Sequence, residues 1–180
     1  SELQTLLPAG AARNAVDCAL WDLAAKQAGK RVWDLAGLPE PGPQITAYTL
    51  SLGAPEEMRA KAVANADRPL LKIKLGTPDG IEADKAMFSA VLDAAKGSGA
   101  VLRVDANGGW SLQDARHMMN WLAERGVEYI EQPLVRGAED QLPDLFKDRA
   151  LPIFVDESCR VSGDIPGFAE CVDGVNLKLM

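Results

Sequence analysis

From Ile45 onward, short apolar runs alternate with amphipathic stretches, and nothing else in the chain restricts its fold so strongly. Residues 45–52, 70–75, 101–105, 127–131, 153–156 and 174–179 read as strands. Residues 55–65, 79–96 and 112–125 read as helices, with a short helix within 142–147 and a weak one reaching 170. Strand and helix in strict alternation with short connections predict a parallel sheet with helices packed outside it. A doubly wound sheet and a barrel both satisfy the alternation, and the placement of charge decides between them.

Three carboxylates stand at the ends of apolar strands: Asp105 in Val104-Asp105-Ala106-Asn107, Glu131 in Ile130-Glu131-Gln132-Pro133 and Asp156 in Val155-Asp156-Glu157-Ser158. They are spaced by 26 and 25 residues, and Lys178 follows 22 residues after Asp156, each interval about one strand–helix unit. One acid per strand is therefore delivered to the same end of the sheet. In a barrel those ends converge on one mouth, where active sites of that architecture are built. Acids gathered so closely repel unless a cation holds them, and oxygen-only ligands select a hard ion such as Mg²⁺, with Mn²⁺ equally compatible. Taken singly, each acid could instead cap a helix or pair with a basic residue on the rim.

Lys72-Ile73-Lys74 adds a base to this picture. Residues two apart on a strand share a face, so both ammonium groups point one way and Ile73 the other. Neighbouring like charges favour the neutral amine, which would make a lysine a base near neutral pH. The bland reading is an edge strand guarded by solvated lysines. Lys74 on the second strand and Lys178 on the sixth are expected to face one another across the mouth. A cation bound to a substrate carboxylate would acidify the adjacent C–H by stabilising an enediolate. Two opposed bases permit inversion at that carbon, although dehydration or cycloisomerisation needs only one. Arg103, two residues before Asp105, is expected to share its face as a counter-charge beneath the acids.

The remainder of the chain sets limits. A balance of 47% hydrophobic and 25% charged residues over 180 positions is that of a globular protein with a real core. A net charge of -7 argues against nucleic acid or an anionic membrane as partner. Cys18, Cys159 and Cys171 form neither a disulfide framework nor a zinc knuckle, which suits a reducing compartment. No run approaches a membrane span, and no Gly-rich phosphate loop follows a strand. Residues 11–28 read as a helix with an Ala-rich apolar stripe, stopped by Gly29 and followed by a short helical piece at 31–36. The proline-rich stretch 38–43 reads as a linker, dividing the chain into 1–43 and 44–180. Glu40, Cys159 and Trp110 read as surface, packing and packing. The first residue is not Met, so a segment of a longer protein is expected.

Together the motifs resemble the enolase superfamily, in which a Lys or His base works with Mg²⁺. Lys72-Ile73-Lys74, Asp105-Ala106-Asn107, Glu131-Gln132-Pro133, Asp156-Glu157-Ser158 and Asn176-Leu177-Lys178 match its muconate-cycloisomerase-like branch in order and context. The resemblance implies a (β/α) TIM-type barrel, here its first six strands, preceded by the terminal helices of a capping domain. It also implies that Asp105, Glu131 and Asp156 bind Mg²⁺, that Lys74 and Lys178 are opposed acid/bases, and that Lys72 supports Lys74 and contacts substrate.

Within that branch the chain is most similar to dipeptide epimerases of the L-Ala-D/L-Glu type, through the sequence of residues 8–23, Tyr48-Thr49 and the sixth-strand motif. Thr49 is then implied to contact substrate, and the setting is cytoplasmic murein-peptide metabolism by a homo-oligomer. The last strand's two-aspartate motif, which receives the substrate ammonium group in such enzymes, is absent, so residues 1–180 alone are expected to be inactive. Rival readings are an o-succinylbenzoate synthase or N-acylamino acid racemase, and a non-catalytic barrel module.

Overall fold

A computed structural model describes residues 2–178. The chain divides into two compact units, Ser1–Gln44 with Leu177–Met180, and Ile45–Asn176.

The first unit contains α1 (Glu2–Leu6), α2 (Ala11–Ala28) and α3 (Val32–Leu35). Helix α2 has the bounds expected from its periodicity. It ends because Gly29 takes a left-handed conformation (φ 63°) and Lys30 N–H closes back on the Ala25 carbonyl at 2.9 Å. Its apolar stripe does not pack as expected. Among the described residues of α2 only Ala25 is buried, while Leu20 and Leu23 stay half exposed.

The second unit is a six-stranded sheet: β1 (Tyr48–Leu50), β2 (Leu70–Lys74), β3 (Val101–Asp105), β4 (Val127–Glu131), β5 (Ile153–Val155) and β6 (Gly174–Val175). Between them lie α4 (Pro55–Ala64), α5 (Ile81–Ala94), α6 (Leu112–Ala123), α7 (Leu142–Lys147) and α8 (Ile165–Phe168). Every pair is parallel and the spatial order is the chain order, β1 to β6. Sequential order without reversal is that of a (β/α) barrel, since a doubly wound sheet reverses at a switch point.

One face of the strands is apolar and sealed. Leu71, Ile73, Val104, Ile130, Ile153 and Val155 join Met58, Phe88, Val91, Met118 and Leu122 of the helices in a single cluster. Removing one such side chain costs about 2–5 kcal/mol, so this face fixes which residues turn the other way. Those are Lys72, Lys74, Arg103, Asp105, Tyr129, Glu131 and Phe154, at alternate positions along the strands. Helix α6 opens on a cap of the usual kind, Ser111 Oγ accepting from Asp114 N–H at 3.1 Å.

Two strands are much shorter than expected, β1 forming only over Tyr48–Leu50 within 45–52 and β6 over Gly174–Val175. The sixth strand pairs only over Gly174–Val175, with Asn176 N–H adding one further bond to the Val155 carbonyl at 2.8 Å; Leu179 lies outside the described residues. In β4 the register slips, Leu102 pairing with Val127 but Val104 with Ile130. One extra residue is accommodated there, so Arg103 opposes both Glu128 and Tyr129. Its Nε donates to Glu128 Oε2 at 2.6 Å, and its guanidinium lies 4.8 Å from the Tyr129 ring centre. Arg103 therefore answers Glu128 and not the strand-end acids. Tyr129 stacks in turn on Phe154 at 4.3 Å. The Phe154 ring fills the space beside Gly174, where a Cβ would lie 2.3 Å from it. A packed floor of the Arg103 guanidinium and the Tyr129 and Phe154 rings, closed against Gly174, thus runs from β3 to β6.

Candidate active site at the strand ends

Lys74 and Asp105 are register partners on β2 and β3, and Lys74 Nζ donates to Asp105 Oδ2 at 2.9 Å. Lys72, one turn of the pleat lower, reaches up to the same oxygen at 3.0 Å and to Glu131 Oε2 at 2.6 Å. Asn176 Nδ2 donates to the other Glu131 oxygen at 2.9 Å. Asp105 and Glu131 are themselves register partners. Both are buried, as is Asp156 just beyond β5. The structure thus brings Lys72, Lys74, Asp105 and Glu131 within ion-pair distance. Thr49 is exposed on β1 and pairs in register with Lys72. Lys178 is exposed and belongs to the first compact unit.

The electrostatics differ from the sequence expectation. Burial pulls the Lys72 ammonium toward neutrality and is the largest single influence. Hydrogen bonds and charge from Glu131 and Asp105 together outweigh it, leaving its pKa above the ordinary lysine value. Carboxylates from β3 and β4, 3.0 and 2.6 Å from Lys72 Nζ, thus favour the charged form that two neighbouring lysines on their own would disfavour. Burial also works against ionised Asp105, yet Lys74, Lys72 and the Asn107 N–H hold its pKa below the usual carboxylate range. Glu131 goes the other way: burial raises it, and Asp105 and Asp156 add to the rise against the pull of Lys72.

The strand ends β3–β5 carry Asp105, Glu131, Asp156 and Glu157, and the two lysines of β2 answer Asp105 and Glu131. One oxygen of Glu157 accepts from Asn107 Nδ2 at 3.2 Å, and the other is buried without a hydrogen-bond partner. An all-oxygen donor set of this kind suits a hard divalent cation. Among the described residues no three acidic, His or Cys side chains are drawn together tightly enough to cage an ion. The Lys72 ammonium instead occupies the point between Asp105 and Glu131. That position accepts positive charge, so the donor set suits a cation in its chemistry.

Three supporting residues escape the sequence reading. Gln132 has φ 41°, a left-handed conformation unusual outside glycine, and is buried. Its Nε2 donates to the Leu134 carbonyl at 2.7 Å and to Ser158 Oγ at 2.9 Å, while its Oε1 accepts from the N–H groups of Asp156 and Ser158. It ties the end of β4 to the residues that follow β5. Asn107 is also left-handed, φ 45°, and its N–H donates to Asp105 Oδ1 at 3.0 Å. Asp84, fully buried on α5, accepts from Gly76, Thr77 and Trp110. Trp110 is buried as expected, but as a hydrogen-bond donor as well as packing. Nothing in the sequence separates Asp84 from a surface acid in a helix's first turn. For Gln132 the one available hint is its place between a strand-end acid and a proline.

Parallel strands in barrel order, with lysines on the second and acids at or just beyond the ends of the third, fourth and fifth, are the arrangement expected of an enolase-type barrel. The chain belongs to that family: residues 57–180 match the family described as Enolase C-terminal domain-like, and residues 1–37 match Mandelate racemase / muconate lactonizing enzyme, N-terminal domain. It is 66% identical over 169 residues to a hydrophobic dipeptide epimerase of Roseobacter litoralis, covering 92% of this chain and 48% of that protein. Among solved structures, an Agrobacterium tumefaciens enolase family member with homology to dipeptide epimerases, bound to sodium and L-Ala-L-Glu, superposes with a TM-score of 0.88. It is 44% identical, over 99% of this chain and 52% of the other. A dipeptide epimerase of Cytophaga hutchinsonii complexed with Mg and D-Ala-L-Val gives 0.81 at 33% identity, over 89% and 44%. The chain spans about half the length of the curated relatives it matches.

Proposed function

We propose that the intact protein is a Mg²⁺-dependent dipeptide epimerase working by two-base 1,1-proton transfer. The observation that carries this reading is the Lys74–Asp105 pair at 2.9 Å, beside Lys72 and Glu131, on strands whose ends also present Asp156. Asp105, Glu131 and Asp156 would hold the ion, which supplies positive charge that acidifies the carbon next to a substrate carboxylate.

Lys74 Nζ removes the proton from that carbon on one face, and Lys178 returns a proton on the other. In reverse the roles exchange. After each turnover Lys74 holds the abstracted proton and Lys178 lacks one, so Lys74 must release a proton to solvent and Lys178 take one up before the same direction runs again. Lys72 keeps its charge and steadies the carboxylates around it, which the acids' hold on its proton favours. Thr49, exposed beside Lys72, is assigned to substrate contact. Residues 1–43 are assigned to a capping domain and 44–180 to the barrel.

The 66% identical relative favours a dipeptide with apolar side chains. The L-Ala-L-Glu bound to the Agrobacterium structure supports a second reading, an L-Ala-D/L-Glu substrate, to which Tyr48-Thr49 also points. Reaction in the cytoplasm by a homo-oligomer goes with either. Among the described residues no helix is long and apolar enough to cross a membrane.

The test is epimerisation by the intact protein of L-Ala-L-Glu and of an apolar L,L-dipeptide, with Mg²⁺ and with a chelator. Mg²⁺-dependent formation of the second epimer of either dipeptide supports the proposal, and the ratio of kcat/KM values selects the substrate. Inactivity toward both, with water eliminated from a cyclohexadiene substrate or an N-acylamino acid racemised instead, assigns the site to another reaction.

A further inference from the structure

We propose that Asp84 is a positioning residue for the reaction: from α5, outside the mouth, it sets the distance between Lys74 and Asp105. The activity arm of this proposal rests on the epimerase reading above; its structural arm does not.

Asp84 is fully buried, and none of the donors it accepts from is charged. Its Oδ1 accepts from Gly76 N–H at 3.0 Å and Thr77 N–H at 3.1 Å; its Oδ2 accepts from Gly76 N–H at 3.1 Å and the Trp110 indole N–H at 2.7 Å. Sealing a carboxylate away from water without a cation is expensive, so its presence calls for a reason. The donors supply one. Gly76 and Thr77 form the turn that leaves β2 two and three residues after Lys74, and Trp110 follows β3 five residues after Asp105. Only a carboxylate presents two acceptor-only oxygens to three converging N–H groups; an amide would turn its own NH₂ on at least one of them.

The two turns that Asp84 joins are already in backbone contact. A Cβ on Gly76 would lie 2.0 Å from the Ala106 carbonyl oxygen, and one on Gly109 would lie 2.4 Å from the Gly76 carbonyl oxygen. Leu75 N–H donates to the Asp105 carbonyl at 2.8 Å, extending the ladder past the pair. Glycine thus permits the approach and Asp84 locks it. What the lock spans is the Lys74–Asp105 pair itself, so slack in either turn becomes an error in where the amine stands.

The experiment compares the intact wild-type protein with Asp84→Asn and Trp110→Phe. Amide hydrogen exchange at Gly76 and Thr77, and the Trp110 indole N–H resonance, report on the clamp whether or not the protein epimerises anything. In Asp84→Asn, exchange at both amides is expected to quicken at least tenfold and the indole resonance to move. Turnover falls about 10- to 100-fold while KM stays within twofold, because a displacement near 1 Å is felt in the chemical step. Trp110→Phe, which deletes one bond, produces a smaller loss in kcat of the same kind, and it serves alone if Asp84→Asn does not fold. Unchanged exchange at Gly76 and Thr77 overturns the clamp. A lowered melting temperature with kcat unchanged at 25 °C overturns the positioning role. A wild-type protein without epimerase activity, but with the expected exchange pattern, contradicts the functional reading and leaves the clamp standing.

Discussion

Lys72 on β2 lies 2.6 Å from Glu131 on β4, although β3 stands between the two strands. In a flat sheet, strands two apart are separated by roughly 9.5 Å, twice the interstrand spacing. Two long side chains bridge that gap, and the contact passes over Asp105 at 3.0 Å on the way. A lysine that reaches two strands turns acids on successive strands into one group.

The charges of that group predict a pH profile for the metal-free protein. Lys72 has a raised pKa, so its contribution to stability is fully present below the ordinary lysine range and is lost as pH rises through the raised value. Asp105 has a depressed pKa, so its contribution is present above the ordinary aspartate range and is lost as pH falls through the depressed value. Glu131, raised by burial, opposes them: its ionised form weakens the fold at neutral pH, and this is relieved as pH falls through its own value. Urea midpoints measured across pH should lose part of their acid decline in Asp105→Asn and part of their alkaline decline in Lys72→Met. Parallel curves for wild type and variants would show these groups uncoupled from folding.

Gly174 and Phe154 are expected to behave as one unit. Gly174→Ala drives a Cβ to 2.3 Å from the Phe154 ring and should destabilise the protein by about 1–3 kcal/mol, the usual cost of overpacking. Phe154→Leu makes room, so the double variant should be more stable than the sum of the single effects allows. Additive chemical-denaturation energies would contradict the packed floor.

Gln132 ties two strand ends with its side chain, and Gln132→Ala strips partners from several buried groups at once. A loss of about 2–4 kcal/mol is expected, at ~1–3 kcal/mol for each group left unpaired. Because Asp156 N–H is one of those groups, Mg²⁺ affinity measured by calorimetry should fall too. Stability lost with metal affinity intact would confine Gln132 to the fold.

How far the sequence could be read follows from how local each signal is. Strands β3 and β4 have the bounds expected from their apolar runs, because a charged residue ends each one. Helix α2 was legible for the same reason, its glycine stop lying next to it in the chain. Helix α1 and a turn of 3₁₀ helix at Glu139–Gln141 were too short to leave a period. The extra residue in β4 is silent in Val127-Glu128-Tyr129-Ile130-Glu131, since either register keeps apolar residues inside. The sequence therefore offers Arg103 the strand-end acids, whereas its partner is Glu128. Lys72 and Lys74 were visible as a pair, but the carboxylates that govern Lys72 come from 33 and 59 residues away, and no window along the chain contains them. Asp84 and Gln132 act through the N–H groups of turns and, for Asp84, of the Trp110 indole, and a sequence does not display which donors converge on a side chain.

Stereochemically resolved deuterium exchange tests the two-base claim most directly. The intact protein is incubated in D₂O with each epimer of its dipeptide, and label at the reacting carbon is followed by NMR. Wild type should label both epimers. Lys74→Ala should stop exchange from one of them and Lys178→Ala from the other, each by at least ~100-fold, the usual weight of a positioned acid or base. Exchange from both epimers lost in one variant and intact in the other would mean that a single base does the work and would contradict the mechanism.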